Sequence, residues 1–366
     1  MPVKIATFNL ENLFTRPVAM NSATDAAGTA AIEDHAMANK IANKATYSAT
    51  DKAKLVTLSK KYGWHLKFPP KKLVLMQKVR GKLFKQPTGG DLTVVANGRS
   101  DWVGWFELRK EDVTWEATFN TARVIAETAP DILILVEVEN RPTFKRFDDQ
   151  VLKESFGMQF NHFLVIDGND ERGIDVGIAS RFPIKSVISH VDEPYADESG
   201  RLFSRDCPEY EISLAGGKSL VILPNHFKSK RSGNDEASTL KRTAQAKRTL
   251  EIAKSAATRA DYVLIGGDLN DTPDSEAMLE LLKDGFVDVN DHADYPVDRP
   301  GTYNTGTASS KIDYLIMSAP LRGKLLTTGI ERRGSFHPRT WTPFDTVTSA
   351  TTEASDHHLV WATFDI

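Results

Sequence analysis

Apolar residues come in short runs along this chain, and the polar residues that end them form the second half of the pattern. "VKIATFN" at residues 3–9 reads as a strand beginning almost at the first residue. "WEATFNTARVIAETAP" spaces Phe119, Ala122, Val124, Ile125 and Ala126 as a helix does, and Pro130 stops it. "DILILVEV" follows from Asp131, and its unbroken apolar run predicts a strand buried on both faces. Further strands are predicted in "GIDVGIASRFPIKSVISHV", "YEISLAGGKSLVILPNHF", "YVLIGGDLN", "KIDYLIM" and "HHLVWATF". Helices are predicted from Asp235 to Ala257 and in "PDSEAMLELLKDG", where Thr272 can cap, Pro273 takes the first helical position and Gly285 can close. Strands arrive partly as neighbours and partly separated by helices, so the sheets are mixed.

The gap between the first two strands is too long for a loop. Residues 16–115 are therefore read as an insertion within a single domain spanning 1–366. Its first part, Ala19 to Thr50, suits a short helix or a mobile loop. From Lys52 to Lys85 it carries eleven Lys and Arg residues and no acid, interleaved with Tyr62, Trp64, Phe68 and Phe84. "KLVLMQKV" and "DLTVVANG" read as strands, with "GG" and "NG" as turns. Such a run is either a solvated decoration or a surface that contacts nucleic acid, for which Lys71, Lys72 and Trp64 are the candidate contacts.

Composition narrows the class. The 366 residues are 40% hydrophobic and 26% charged, an ordinary globular balance, and the net charge of −3 offers no global attraction to nucleic acid or membrane. One cysteine, Cys207, excludes an internal disulfide and reads as a packing residue. There is no basic and apolar leader and no run of eighteen apolar residues, so a cytoplasmic monomer without a membrane span is expected.

Chemistry enters at the strand ends. Asn9, Glu137, His226, Asp268, Asn270, Asp313, Asp356 and His357 all fall there. Acids beside hydrophobic strands are costly to bury unless a positive partner meets them. These are mostly hard oxygen donors without zinc-type spacing, which favours Mg²⁺, or else Mn²⁺ or Ca²⁺. In "YVLIGGDLNDTPDS", Gly266 and Gly267 are expected to let substrate and backbone approach closely, while Asp271 and Asp274 read as loop and cap residues.

The motifs "TFNLEN", "DILILVEVEN", "RGIDVGIASRFPI", "FSRD", "PNHFKSK", "GGDLND", "KIDYLIMS" and "SDHHLV" occur in this order. Together they resemble the endonuclease/exonuclease/phosphatase superfamily with its DNase I-like fold, and "LVEVEN" with "NHFKSK" most resembles its bacterial nuclease branch. The resemblance implies an α/β (α+β) fold, a four-layer α/β/β/α sandwich of two packed mixed sheets with helices outside. It implies Glu137 as the main metal ligand, with Asn9 and Asp356 near the metal. It implies His357 as the active-site histidine oriented by Asp313, and Asp268 as the group positioning the attacking water. Asn270 and His226 become donors to phosphate oxygens, and Arg205 a phosphate contact. Arg172 either contacts phosphate or braces a loop. Val136 stands where the family often has glutamine.

The expected reaction is in-line attack of water on a phosphodiester of DNA or RNA. Phosphatase or phospholipid-headgroup hydrolysis, and a catalytically silent nucleic-acid-binding protein, are the alternatives. His358 is expected to face away from His357, Glu139 to sit behind Glu137 or in solvent, and the basic residues of the 235–257 helix either to extend a nucleic-acid-contacting surface or simply to face water opposite Leu240, Ala244 and Leu250.

Overall fold

A computed structural model describes residues 1–11, 25–70, 72–109, 114–170, 173–195, 200–230 and 236–366. The chain divides into two compact units, Met1–Phe14 with Val113–Ile366, and Thr15–Asp112. After β1 (Pro2–Asn9), the smaller unit contributes α1 (Asp25–Ala42), α2 (Ala49–Tyr62), β2 (Val74–Gly81), β3 (Phe84–Lys85), β4 (Thr93–Val94) and β5 (Trp102–Leu108). The larger unit resumes with α3 (Trp115–Thr128), β6 (Ile132–Val138), α4 (Arg141–Phe147) and α5 (Lys153–Phe156). It continues with β7 (His162–Ile166), β8 (Asp175–Ser180), β9 (Ile184–Ile188), β10 (Glu209–Ser213), β11 (Ser219–His226), α6 (Glu236–Ala256) and β12 (Tyr262–Asp268). It closes with α7 (Glu276–Leu281), β13 (Val287–Asp288), β14 (Asp313–Met317), α8 (Ala319–Arg322), β15 (Leu325–Glu331) and β16 (Leu359–Asp365).

Two six-stranded sheets form the larger unit, in the orders β15-β16-β1-β6-β8-β7 and β13-β14-β12-β11-β10-β9. Within them β1 runs parallel to β6 and β11 parallel to β12, while the other pairings are antiparallel. Alternation explains the layers: Ile132, Ile134 and Val136 face Ile222, Leu264 and Leu315 of the other sheet, so both inner faces share one core. Leu133 and Leu135 point outward against Ala122 and Ile125 of α3 and Phe144 of α4. Val263 and Ile265 pack on Ala246 and Ala253 of α6 and Met278 of α7. This is the expected mixed α/β architecture of two packed sheets with helices outside, and Ile132–Val136 are wholly buried as the unbroken run requires.

Two local readings change. The helix after "GGDLND" begins later, because Thr272 Oγ1 donates to Asp274 Oδ1 (2.8 Å) and its carbonyl accepts from Ser275 N, so Ser275 becomes the cap and accepts from Met278 N. The two glycines of that motif let backbone approach closely, as expected, but neither borders the cavity in which substrate would sit. A Cβ on Gly266 would stand 2.5 Å from Ile134 Cδ1 of the facing sheet, and one on Gly267, at φ 137°, would stand 1.9 Å from Asn225 O of the adjoining strand.

The Thr15–Asp112 unit has its own core. The described part of Ala19–Thr50 is largely helical, and α2 starts from a reciprocal cap in which Ser48 Oγ accepts from Asp51 N and Asp51 Oδ2 accepts from Ser48 N. The basic run thus opens as a helix before turning into β2. Trp64 does not belong to its surface: it is 3% exposed, its ring lies 5.3 Å from Tyr62 and 4.3 Å from Phe106, and its Nε1 donates to Val74 O. The expectation of a nucleic-acid contact at Trp64 is therefore corrected: an indole this large contributes most when buried with its N–H satisfied. Lys72 is exposed, and Lys71 lies outside the described residues.

Candidate active site

Strand register assembles the site. His226, Asp268 and Asp313 end or begin three adjacent strands in one row, since Asp268 pairs with His226 across β11 and with Asp313 across β14. In the other sheet Asn9 ends β1 beside Val136, and a bulge between Val136 and Val138 turns Glu137 out at φ 58°. The two rows meet where Asn9 Nδ2 donates to Asp268 Oδ2 (3.3 Å). A cavity of about 480 Å³ opens here, lined by Asn9, Glu137, Arg205, His226, Asp268, Asn270, Asp356 and His357. Among the described residues six non-glycine positions have left-handed backbone, and four of them, Glu11, Glu137, Asn270 and Asn304, line this cavity. Backbone strain concentrated this way is stored where side chains must be aimed.

Asp313 stands behind His357 rather than in the cavity. Its Oδ2 accepts from His357 Nδ1 (2.9 Å) and from Thr302 Oγ1 (2.7 Å), while Thr302 Oγ1 accepts from the amides of Ile312 and Asp313. The far side of the ring, Nε2, lies 3.9 Å from Asp268 Oδ2 and 3.8 Å from Asp356 Oδ1. Burial opposes a charge on His357, but the charge and hydrogen bond of Asp313, with Asp268 and Asp356, outweigh it and hold the imidazolium well above its usual range. Burial pushes the Asp268 carboxyl up to about 7; Asp313 and Glu137 add to this, while His357 and the amide of Asn270 work against it. His226 Nε2 lies 3.6 Å from Asp268 Oδ2 and 3.8 Å from Glu137 Oε1. The neighbouring His358 faces away as expected; burial and then Arg332 and His357 hold it neutral, and it bonds the carbonyl of Asn304.

Arg205 is buried in an ion pair with Asp170 (3.1 Å) and still lines the cavity. Glu139 does not line it, and Arg172 lies outside the described residues. Sequence reasoning missed Glu11, Lys230, Thr302 and Tyr303. Glu11 sits two positions after Asn9 inside "TFNLEN" and accepts from Asp356 N (2.9 Å). Tyr303 pairs its backbone with His357 and sets its ring 4.9 Å from the imidazole, and a loop residue of this kind carries no sequence signal.

The donor set suits a divalent cation. Burial, then the charge of Asp356, and further on that of Glu137, push the Glu11 carboxyl up to about 7, so this acidic wall is short of positive charge. Asp268, Asp313 and His357 also present ligand-type atoms within 4.8 Å of one another.

The sequence profile of the Endonuclease/Exonuclease/phosphatase family matches residues 117–357. The chain belongs to this family, and with it to the metal-dependent phosphoester hydrolases. No curated protein matches the chain. Among solved structures, an endonuclease/exonuclease/phosphatase family protein from Leptotrichia buccalis aligns at TM-score 0.50 and 14% identity, over 70% of this chain and 95% of its own. Truncated TDP2 of Caenorhabditis elegans aligns at TM-score 0.47 and 20% identity, over 68% and 89%. Staphylococcus aureus beta toxin aligns at TM-score 0.48 and 18% identity, over 67% and 92%. Among the described residues no helix is long and apolar enough to cross a membrane.

Proposed function

We propose that the protein hydrolyses phosphodiesters of nucleic acid with Mg²⁺ or Mn²⁺, using the cavity between its two sheets. The observation that carries this reading is the chain Asp313–His357–Asp268, with Nδ1 held at 2.9 Å and Nε2 left facing the cavity. Asp313 fixes the ring and stabilises its charge, so His357 presents an N–H to a phosphoryl oxygen where negative charge grows. Asp268, poised near neutrality, accepts the proton of the attacking water or directs its lone pair. Asn270, His226 and Arg205 donate to the remaining phosphoryl oxygens. Glu137, Asp356, Glu11 and Asn9 would hold the cation, which when bound supplies Lewis-acid charge to the phosphate.

A single phosphodiester is favoured over a polyphosphate. Among the described residues the Lys and Arg side chains at the cavity, Arg205 and Lys230, are each already paired, with Asp170 and Asp271 (3.1 and 2.5 Å). Among the described residues, no cluster of unpaired Lys and Arg side chains of the kind that grips several phosphates lines this wall. Nucleic acid as the substrate is supported by the exposed bases of the Thr15–Asp112 unit, among them Lys78, Arg80, Lys82 and Lys85. A substrate panel tests the proposal: double- and single-stranded DNA, RNA, inositol phosphates, a phospholipid and a chromogenic bis-ester, each with Mg²⁺, Mn²⁺, Ca²⁺ and EDTA. Turnover of DNA or RNA that EDTA stops is expected. Turnover of a monoester or lipid alone, or nucleic-acid binding without turnover, contradicts it.

A further inference from the structure

Helix α6 departs from its expected pattern in one half only. Its C-terminal half buries Leu250, Ile252, Ala253 and Ala256 against the sheet, as an amphipathic helix should. Its N-terminal half does the reverse: Leu240 is exposed, whereas Arg242 and Gln245 are 1% and 0% exposed, and the buried polar stripe runs on to Thr249 in the other half. Residues 242, 245 and 249 share one helix face. The expectation that Arg242 faces water is thus corrected, and the question becomes what a buried polar stripe is for, given the cost of burying such groups.

Each group on the stripe bonds a segment that carries a site residue. Arg242 Nε donates to Asp271 Oδ2 (2.9 Å), next to Asn270, and its Nη1 reaches Lys228 O (3.4 Å). Gln245 Oε1 accepts from Lys228 N (3.0 Å), two residues past His226, while Nε2 donates to Leu202 O (3.0 Å), on the loop leading to Arg205. Thr249 Oγ1 donates to Asn225 Oδ1 (3.3 Å), the residue before His226. Asp271, held by Arg242, in turn pairs with Lys230 Nζ on the cavity wall.

We infer that this stripe is a positioning device for the phosphate-binding side of the site: Arg242 and Gln245 are positioning residues that lock the loops of Arg205, His226 and Asn270 into one arrangement, with Thr249 as a weaker third anchor. None of the three lines the cavity; they act through the loops. A helix is suited to this because its side chains sit on a rigid ladder at fixed spacing, so three loops of different origin are referred to one frame. The inference rests on the site proposed above.

The test is steady-state hydrolysis of a bis-ester by the full chain, comparing wild type with Gln245→Met, Arg242→Met, Arg242→Lys, Ile252→Ala and His357→Ala. Gln245→Met and Arg242→Met are expected to lower kcat by roughly ten- to a hundredfold, with KM little changed, since misplaced donors are felt most in the transition state. Arg242→Lys, which keeps one donor to Asp271, recovers most of that loss. Ile252→Ala removes packing from the same helix, so it lowers Tm while leaving kcat near wild type. Should Arg242→Met fail to fold, Gln245→Met, a neutral change of similar size, carries the test alone. Wild-type kcat in Gln245→Met, or an equal fall in Ile252→Ala, overturns the inference. An inactive His357→Ala beside a fully active Gln245→Met overturns the positioning role alone, whereas an active His357→Ala overturns the site reading beneath it.

Discussion

The two compact units handle charge in opposite ways. In the larger one, Asp268, Asp313, His357, Arg205 and Arg242 are nearly inaccessible, and each is held by partners at defined distances. In the Thr15–Asp112 unit, the residues that dominate the sequence by charge, such as Lys54, Lys60, Lys78, Arg80 and Lys82, are exposed, while of the aromatics between them Tyr62 and Trp64 turn inward to the core and Phe68 stays exposed. A buried charge must be offset by specific partners, whereas an exposed one costs almost nothing. Position in the fold therefore follows tightly from a polar residue in an apolar strand and only loosely from a long run of lysines.

Substitutions can break this contrast or sharpen it. The largest effect is expected from His357→Ala, which removes a cavity-facing donor and should lower kcat for a bis-ester by about 10³-fold. Asp313→Asn should lower kcat by roughly a hundredfold and also change its pH profile. In the proposed mechanism Asp268 acts ionised and His357 protonated, so kcat should rise as pH passes about 7 and fall where His357 loses its proton, well above its usual range. Asp313 is what raises His357 against its burial, so the alkaline limb moves to lower pH in Asp313→Asn; a limb that stays put contradicts its role. Trp64→Phe should destabilise the Thr15–Asp112 unit by about 1–3 kcal/mol in denaturant titrations while leaving bis-ester hydrolysis intact. The smallest effect is expected from replacing Lys78, Arg80 and Lys82 by Ala: every side chain among them that pairs with a phosphate accounts for about 1 in the salt slope of DNA binding, so the slope should flatten while bis-ester kcat stays unchanged. A slope equal to wild type would mark that surface as merely solvated.

How far the sequence could be read follows from the same contrast. The strands "ILILV" and "YVLIGGD" were legible because burial on both faces leaves an unbroken apolar run, and their polar terminal residues stood out against it. Asn9, Glu137, His226, Asp268 and His357 could be gathered into one cavity for that reason. Strand β15 was missed because "LLTTGIE" is only partly buried and mixes Thr and Gly into its run. Glu11 takes its place through a hydrogen bond that spans 345 positions of chain, which no local window contains, and Tyr303 through a backbone bridge to His357. Arg242 misled because a basic residue on a long helix ordinarily faces water; its partner, Asp271, sits on a loop whose path only the folded sheet defines.

The central claim is that strand tips from two sheets share one cation and one phosphate, with the acids of the first sheet on the metal side and His357 on the phosphate side. Calorimetric titration of Mn²⁺ into wild type, Glu137→Gln and His357→Ala tests it most directly. Glu137→Gln should weaken Mn²⁺ binding by at least about tenfold, and His357→Ala, though inactive, should bind Mn²⁺ as wild type does. Equal Mn²⁺ affinity in wild type and Glu137→Gln would contradict the account.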